Sequence, residues 1–230
     1  MTGWLVLLTL LRPPVERLEA FGDGVALLYR GTDLEVVDTL GQTLWWLSVP
    51  DLRDVEGGPL LLYLLRSDRL EVYAADGTRV GEVPLEARDS AVIADGTVFL
   101  LAPDGTRVFQ LQGQHLAPGF TLPRPAVRLE GAGLALAVWF PDSLWLVAPS
   151  GERWWSAPAR VQRVFAQGRD LYWILRQDTL YLPRGPALPG VRDFDLAPTP
   201  DLRLWWMENQ GTLKTLRAAS FPEPGPGSAP

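Results

Sequence analysis

The sequence predicts an all-β protein, a six-bladed β-propeller whose N-terminal strand closes the last blade, and three observations predict it. An arginine opens the same short phrase six times, at Arg17, Arg53, Arg88, Arg128, Arg163 and Arg192, with intervals of 36, 35, 40, 35 and 29 residues. Within each interval, short apolar runs alternate with polar turns roughly every eight to twelve residues, the spacing of strands in an all-β repeat. No window keeps a 3.6-residue period long enough for a helix, and Gly and Pro fill 43 of the 230 positions. A β-solenoid is the competing repeat fold, but its coils are usually shorter and lack a four-segment hairpin grammar.

The second unit shows that grammar most plainly. Its segments are Leu52 to Glu56, Leu60 to Leu65, Arg69 to Tyr73 and Arg79 to Leu85. The run Leu60 to Leu65 is closed by Ser67-Asp68 and is too short for a helix, so it suits a strand buried on both faces. In the third segment Leu70 and Val72 alternate with Glu71 and Tyr73. Asp76-Gly77 supplies the positive φ that a tight hairpin needs. The other units repeat it: Asp95-Gly96-Thr97 and Asp104-Gly105-Thr106 turn the third, Ser150-Gly151-Glu152 the fourth and Gln210-Gly211-Thr212 the sixth. Second strands are expected at Val25 to Tyr29, Leu60 to Leu65, Val98 to Leu101, Leu134 to Phe140, Leu171 to Leu175 and Leu202 to Trp206.

The chain ends carry the argument for closure. The sixth unit supplies only three strand segments before Phe221-Pro-Glu-Pro-Gly-Pro-Gly-Ser-Ala-Pro, which cannot pair in a sheet. The N-terminus has a spare one, Trp4 to Leu11, standing before the first unit begins at Val15. The expectation is one propeller domain over residues 1–220 and a Pro/Gly-rich tail over 221–230. A signal peptide is the rival reading of residues 1–20, which would make the protein exported rather than cytoplasmic. Against it, no Lys or Arg precedes the apolar run, no small-x-small site follows, and the run is too short to span a bilayer.

Composition narrows the function. A net charge of −6 and a pI near 4.9 argue against a general phosphate-binding surface, so nucleic acid is not an expected partner. The absence of Cys excludes disulfides, thiolate nucleophiles and thiolate metal sites. Lys214 is the only Lys and Asn209 the only Asn, a bias that high-GC coding or thermal adaptation would produce.

The stretch Asp33-Leu-Glu-Val-Val-Asp-Thr-Leu-Gly-Gln-Thr-Leu-Trp45 resembles the repeat of quinoprotein-type (PQQ-like) propellers: a strand ending at Asp, a turn with Gly, and a next strand opening on an apolar residue and Trp. Leu70 to Val80 and Leu144 to Trp155 are weaker copies. The resemblance implies the fold. Quinone-binding members typically have more blades, a calcium site and a catalytic acid, a constellation not found here, so the resemblance implies a scaffold or binding role without a cofactor.

Catalytic candidates are few. His115 is the only histidine, which excludes a multi-His metal site, and it lies in a polar turn. Glu19, Glu56, Asp89, Glu130 and Asp193 follow the repeated arginines and would be the acids of a hydrolase or lactonase-like channel mouth. Each has an Arg nearby as an obvious salt partner, which favours a structural network over a metal site. The pairs Trp45-Trp46, Trp154-Trp155 and Trp205-Trp206 should place one ring on each face of a strand, as inter-blade staples. Trp139 and Trp173, beside turn residues, are candidates for an exposed interaction patch.

The six arginines are the main ligand candidates. At the start of each innermost strand they would ring one channel mouth and favour a carboxylate, phosphate or acidic peptide. The alternative pairs each with an acid, as Arg53-Asp54, Arg88-Asp89 and Arg192-Asp193 allow; Arg163, followed by Val-Phe-Ala-Gln, would be the first free for a ligand. The resulting expectation is a non-catalytic platform, monomeric within a complex with another protein. A metal-dependent hydrolase and a small-anion or carbohydrate-binding module are the alternatives.

Overall fold

Short apolar runs bury their backbone polar groups only by pairing with neighbours, and within each blade consecutive strands pair. A computed structural model describes residues 6–9, 15–22, 24–183, 187–197, 203–209 and 211–217. Among these the chain forms six four-stranded antiparallel sheets arranged in a ring, a six-bladed β-propeller with no helix. The second blade runs Asp54–Gly57, Leu61–Leu65, Arg69–Ala74 and Arg79–Pro84, close to the four segments expected.

Closure follows the expected route. Val6–Thr9 pairs antiparallel with Thr212–Arg217, Val6 opposite Thr215 and Thr9 opposite Thr212, as the outermost strand of blade 6. The first and last strands among the described residues thus share one sheet. Residues 221–230 lie outside the described residues.

The core sits between blades. One cluster joins Leu18, Val25 and Leu27 of blade 1 to Trp205, Met207 and Leu213 of blade 6. The next joins Phe21, Leu34 and Val36 of blade 1 to Val55, Leu62 and Leu64 of blade 2, and four further clusters complete the ring. Each fully buried Leu or Val contributes about 1.5–3 kcal/mol before entropy is set against it.

Two tryptophan pairs divide between faces as expected. Trp205 packs in the blade 6–1 layer and Trp206 in the blade 5–6 layer. Trp45 packs toward blade 2 and stacks on Tyr73, while half-exposed Trp46 stacks on Tyr29. Trp154 and Trp155 depart from the pattern, both lying against the blade 4–5 layer. The sheet register shifts there, with Trp155 opposite Leu146 and Arg153 opposite Val147; the bulge absorbs Trp154 and breaks the two-residue alternation.

The turn glycines also serve this packing. At Gly77 φ is +83°, and a Cβ would stand 2.9 Å from the Trp45 ring. Gly151 in blade 4 does the same beneath Phe120 of blade 3, its Cβ position 2.9 Å from that side chain. An aromatic from the outer strand of one blade thus lies on the bare turn of the next.

The innermost strands approach most closely. A Cβ on Gly57 would lie 2.1 Å from the Ala20 carbonyl oxygen, and one on Gly131 2.1 Å from that of Val92. The ring is therefore tight at this level, and only short space remains for the side chains that point along the channel.

Candidate functional site

The innermost strands are Val15–Phe21, Asp54–Gly57, Asp89–Val92, Arg128–Ala132, Arg163–Gly168 and Val191–Ala197. Their relative register is fixed by carboxylates that accept an N–H from the next blade: Asp193 from Leu18 at 2.8 Å, Asp54 from Ser90 at 3.0 Å and Asp89 from Leu129 at 2.7 Å. In that register one level of the channel is formed by Arg17, Asp54, Asp89, Arg128, Arg163 and Asp193. Two residues further, on the same side of each strand, come Glu19, Glu56, Ala91, Glu130, Phe165 and Asp195.

The arginine series is thus not one ring. Arg17, Arg128 and Arg163 face the channel, whereas Arg53, Arg88 and Arg192 stand one residue earlier and are exposed. Arg53 and Arg88 each donate to a backbone carbonyl of the next blade, Ala87 and Ala126, at 3.0 Å. The neighbouring aspartate takes the channel position in their place. Sequence-adjacent pairs such as Arg53-Asp54 are accordingly not salt partners, because adjacent strand residues point to opposite sides.

The partners stand two residues along the same strand or on other blades. Arg17 binds Glu19 at 2.6 Å, Asp54 at 2.5 Å, Glu56 at 2.6 Å and Glu130 at 3.4 Å. Arg163 binds Glu19 at 2.6 Å, Glu130 at 3.1 Å, Asp193 at 3.2 Å and the Leu18 carbonyl at 2.6 Å. Arg163 was the arginine expected to be free; it is instead among the most enclosed, with its side chain 5% exposed. Its acids come from blades 1, 4 and 6, which the local sequence Val-Phe-Ala-Gln does not reveal. Arg128 reaches Glu130 at 3.1 Å and lies 4.9 Å from the Trp139 ring centre.

Burial and neighbouring charge set the acids apart. Burial raises Glu56 well above the ordinary carboxylate value, with repulsion from Glu19 adding to it, and burial likewise raises Asp195 well above. In Glu19 burial outweighs the attraction of Arg163 and Arg17, so it too is raised. Burial of Asp89, together with the charge and hydrogen bond of Asp54, pushes it up to about 9. Burial works in the same direction on Asp54 and Glu130, but Arg17 at the first and Arg128 and Arg163 at the second overcome it and hold both below their usual range. Arg17 and Arg163 rise well above the ordinary value, the surrounding carboxylates outweighing their own burial. Asp89 therefore holds a proton at neutral pH and shares it with ionised Asp54.

Asp54, named in the sequence only as a partner for Arg53, and Asp195, not named at all, also belong to the cluster. The available signal was charge at alternate positions of an apolar strand: Arg17-x-Glu19, Asp54-x-Glu56, Arg128-x-Glu130 and Asp193-x-Asp195. His115 lies on the exposed outer strand His115–Thr121, away from the channel. Trp139 and Trp173 are only 8% and 3% exposed, which corrects the expectation of an aromatic patch at these positions. Both sit on second strands and face inter-blade layers.

A cavity of about 10 Å³ lies beside the lower level, bordered by Glu19, Glu56, Asp195, Gly131 and Phe165. It has room for about one water molecule. A far larger groove, about 630 Å³, opens between blades 2 and 3 and is lined by Leu61, Tyr63, Val72, Val80, Val83 and Leu111.

The sequence matches no protein-family profile and no curated protein. Similarity appears among solved structures. The Neurospora crassa Pan2 WD40 domain aligns over 93% of this chain and 92% of its own at 8% identity, with a TM-score of 0.57. A streptogramin B lyase aligns over 93% and 87% at 13% identity, TM-score 0.55. BBS1N in complex with ARL6DN aligns over 84% and 74% at 15% identity, TM-score 0.51. At these identities the likeness is one of fold, a β-propeller, and the resemblance to propeller repeats stands at that level.

Proposed function

We propose that this propeller is a rigid, non-catalytic platform that binds another protein through the outer side of blades 2 and 3. The observation that carries the reading is the contrast between its two concavities. The channel has about 10 Å³ beside its acids, too little for an organic substrate, whereas the groove between blades 2 and 3 has about 630 Å³ and combines apolar side chains with Glu82, Asp95 and Gln110. Exposed apolar side chains support the same side. Leu40, Leu44, Trp46, Leu60, Val80 and Leu116 belong to blades 1 to 3, leaving Val127, Leu134 and Tyr181 for the rest of the described ring. Among the similar folds, BBS1N is seen in complex with ARL6DN.

The cysteine-free sequence makes the test direct. A photo-crosslinker placed on Val80→Cys should capture a discrete partner in extracts of the source cell, and Leu111→Asp should abolish that capture while leaving the fold intact. The same probe on Arg169→Cys, an exposed position in blade 5, should capture nothing comparable. Equal capture from both sites, or capture indifferent to Leu111→Asp, rejects the blade 2–3 surface.

A further inference from the structure

The waist of the channel gathers more carboxylates than guanidiniums. Glu19, Asp54, Glu56, Glu130 and Asp195 are all at most 8% exposed. Opposite them stand Arg17 and Arg163, with Arg128 reaching in from the more exposed rim to Glu130 alone. Five buried carboxylates thus share three guanidiniums.

The hydrogen bonding is incomplete at the same place. Glu130 Oε1 receives all three guanidiniums, while its Oε2 is buried with no hydrogen-bond partner among the described residues. Glu19 uses its Oε1 for both Arg17 and Arg163. One carboxylate oxygen each from Glu19, Glu56 and Glu130 lies within 4.8 Å of the other two, and these residues come from blades 1, 2 and 4. Glu19 and Glu56 also border the water-sized cavity.

We propose that this waist of the channel is a structural site for one hard divalent cation of the calcium, magnesium or manganese class, held by Glu19, Glu56 and Glu130. Carboxylate oxygens without nitrogen or sulfur donors select that class. One such ion gives the orphaned Glu130 oxygen a partner and ties blades 1, 2 and 4 together across the ring. The site is too enclosed to present the ion to a substrate, so its role is to hold the ring, separately from the groove proposed for a partner.

The test uses the full chain stripped with EDTA and then titrated with calcium, magnesium or manganese chloride. The expected result is one ion bound per chain and a melting temperature raised by several degrees on adding metal, reversed by chelator. Glu130→Gln and Glu19→Gln should each weaken binding by about tenfold or more, because affinity follows the number of charged ligands. Wild-type protein that retains no ion and shows no melting shift at millimolar levels of all three metals overturns the proposal, whatever the variants do. Stoichiometric binding that persists unchanged in both variants also overturns it, by placing the ion elsewhere.

Discussion

Blades 1, 4 and 5 turn Arg17, Arg128 and Arg163 into the channel, whereas blades 2, 3 and 6 turn Asp54, Asp89 and Asp193 into the same level. The six phrases look alike because an arginine opens every one, yet in the second group it stands one residue too early. On a strand that single step sends the side chain to the opposite side. The outcome is a ring of three arginines and three aspartates, in which Arg17 meets Asp54 and Arg163 meets Asp193, in place of six cations that would repel.

Removing an inward arginine should break the molecule most. Arg163→Gln leaves Glu19, Glu130 and Asp193 without their shared cation in a buried setting. A loss of about 3–5 kcal/mol is expected, read as a fall of roughly 10 °C in thermal unfolding.

The next largest effect probes how closely the inner strands approach. Blade 1 carries Ala20 where blade 4 carries Gly131, and only the second has a carbonyl, that of Val92, 2.1 Å from where a Cβ would stand. Gly131→Ala should therefore cost about 1–3 kcal/mol in chemical denaturation, with the strand forced outward.

The inward aspartates can be separated by pH. With its carboxyl raised from 3.8 to about 9, Asp89 binds a proton more tightly folded than unfolded. Its contribution to stability is complete below the unfolded value and declines as pH rises toward about 9, since the folded state then must give up a proton that the unfolded state has already lost. Asp89→Asn keeps a donor for Asp54 and an acceptor for the Leu129 N–H, so it should fold normally at pH 7. Unfolding measured from pH 6 to 9 should show its stability falling less steeply than that of the wild type, by about one proton's worth of slope. An unchanged slope would mean that Asp89 is ionised.

The smallest change is expected at the outward arginines. Arg192→Gln removes an exposed charge, and melting should move by no more than about 1–2 °C. A loss comparable to that of Arg163→Gln would show that the two groups of arginines are equivalent after all.

The sequence by itself determined the number of blades, most strand positions and the strand exchange that closes blade 6. Those features rest on local rules: short apolar runs, Asp-Gly turns such as Asp76-Gly77, and an N-terminal run with no partner of its own. It also held the charge alternation of Asp54-x-Glu56 and Asp193-x-Asp195, which marks an inward face once the strand is known. Which arginines turn inward, and which acids they meet, was decided only by the tertiary structure. Arg163 finds Glu19, Glu130 and Asp193 at sequence separations of 144, 33 and 30 residues, because ring closure brings distant blades to a common axis. The burial of Trp139 and Trp173 was settled in the same way, since a second strand's exposure depends on the blade packed against it and not on the turn beside it in the chain.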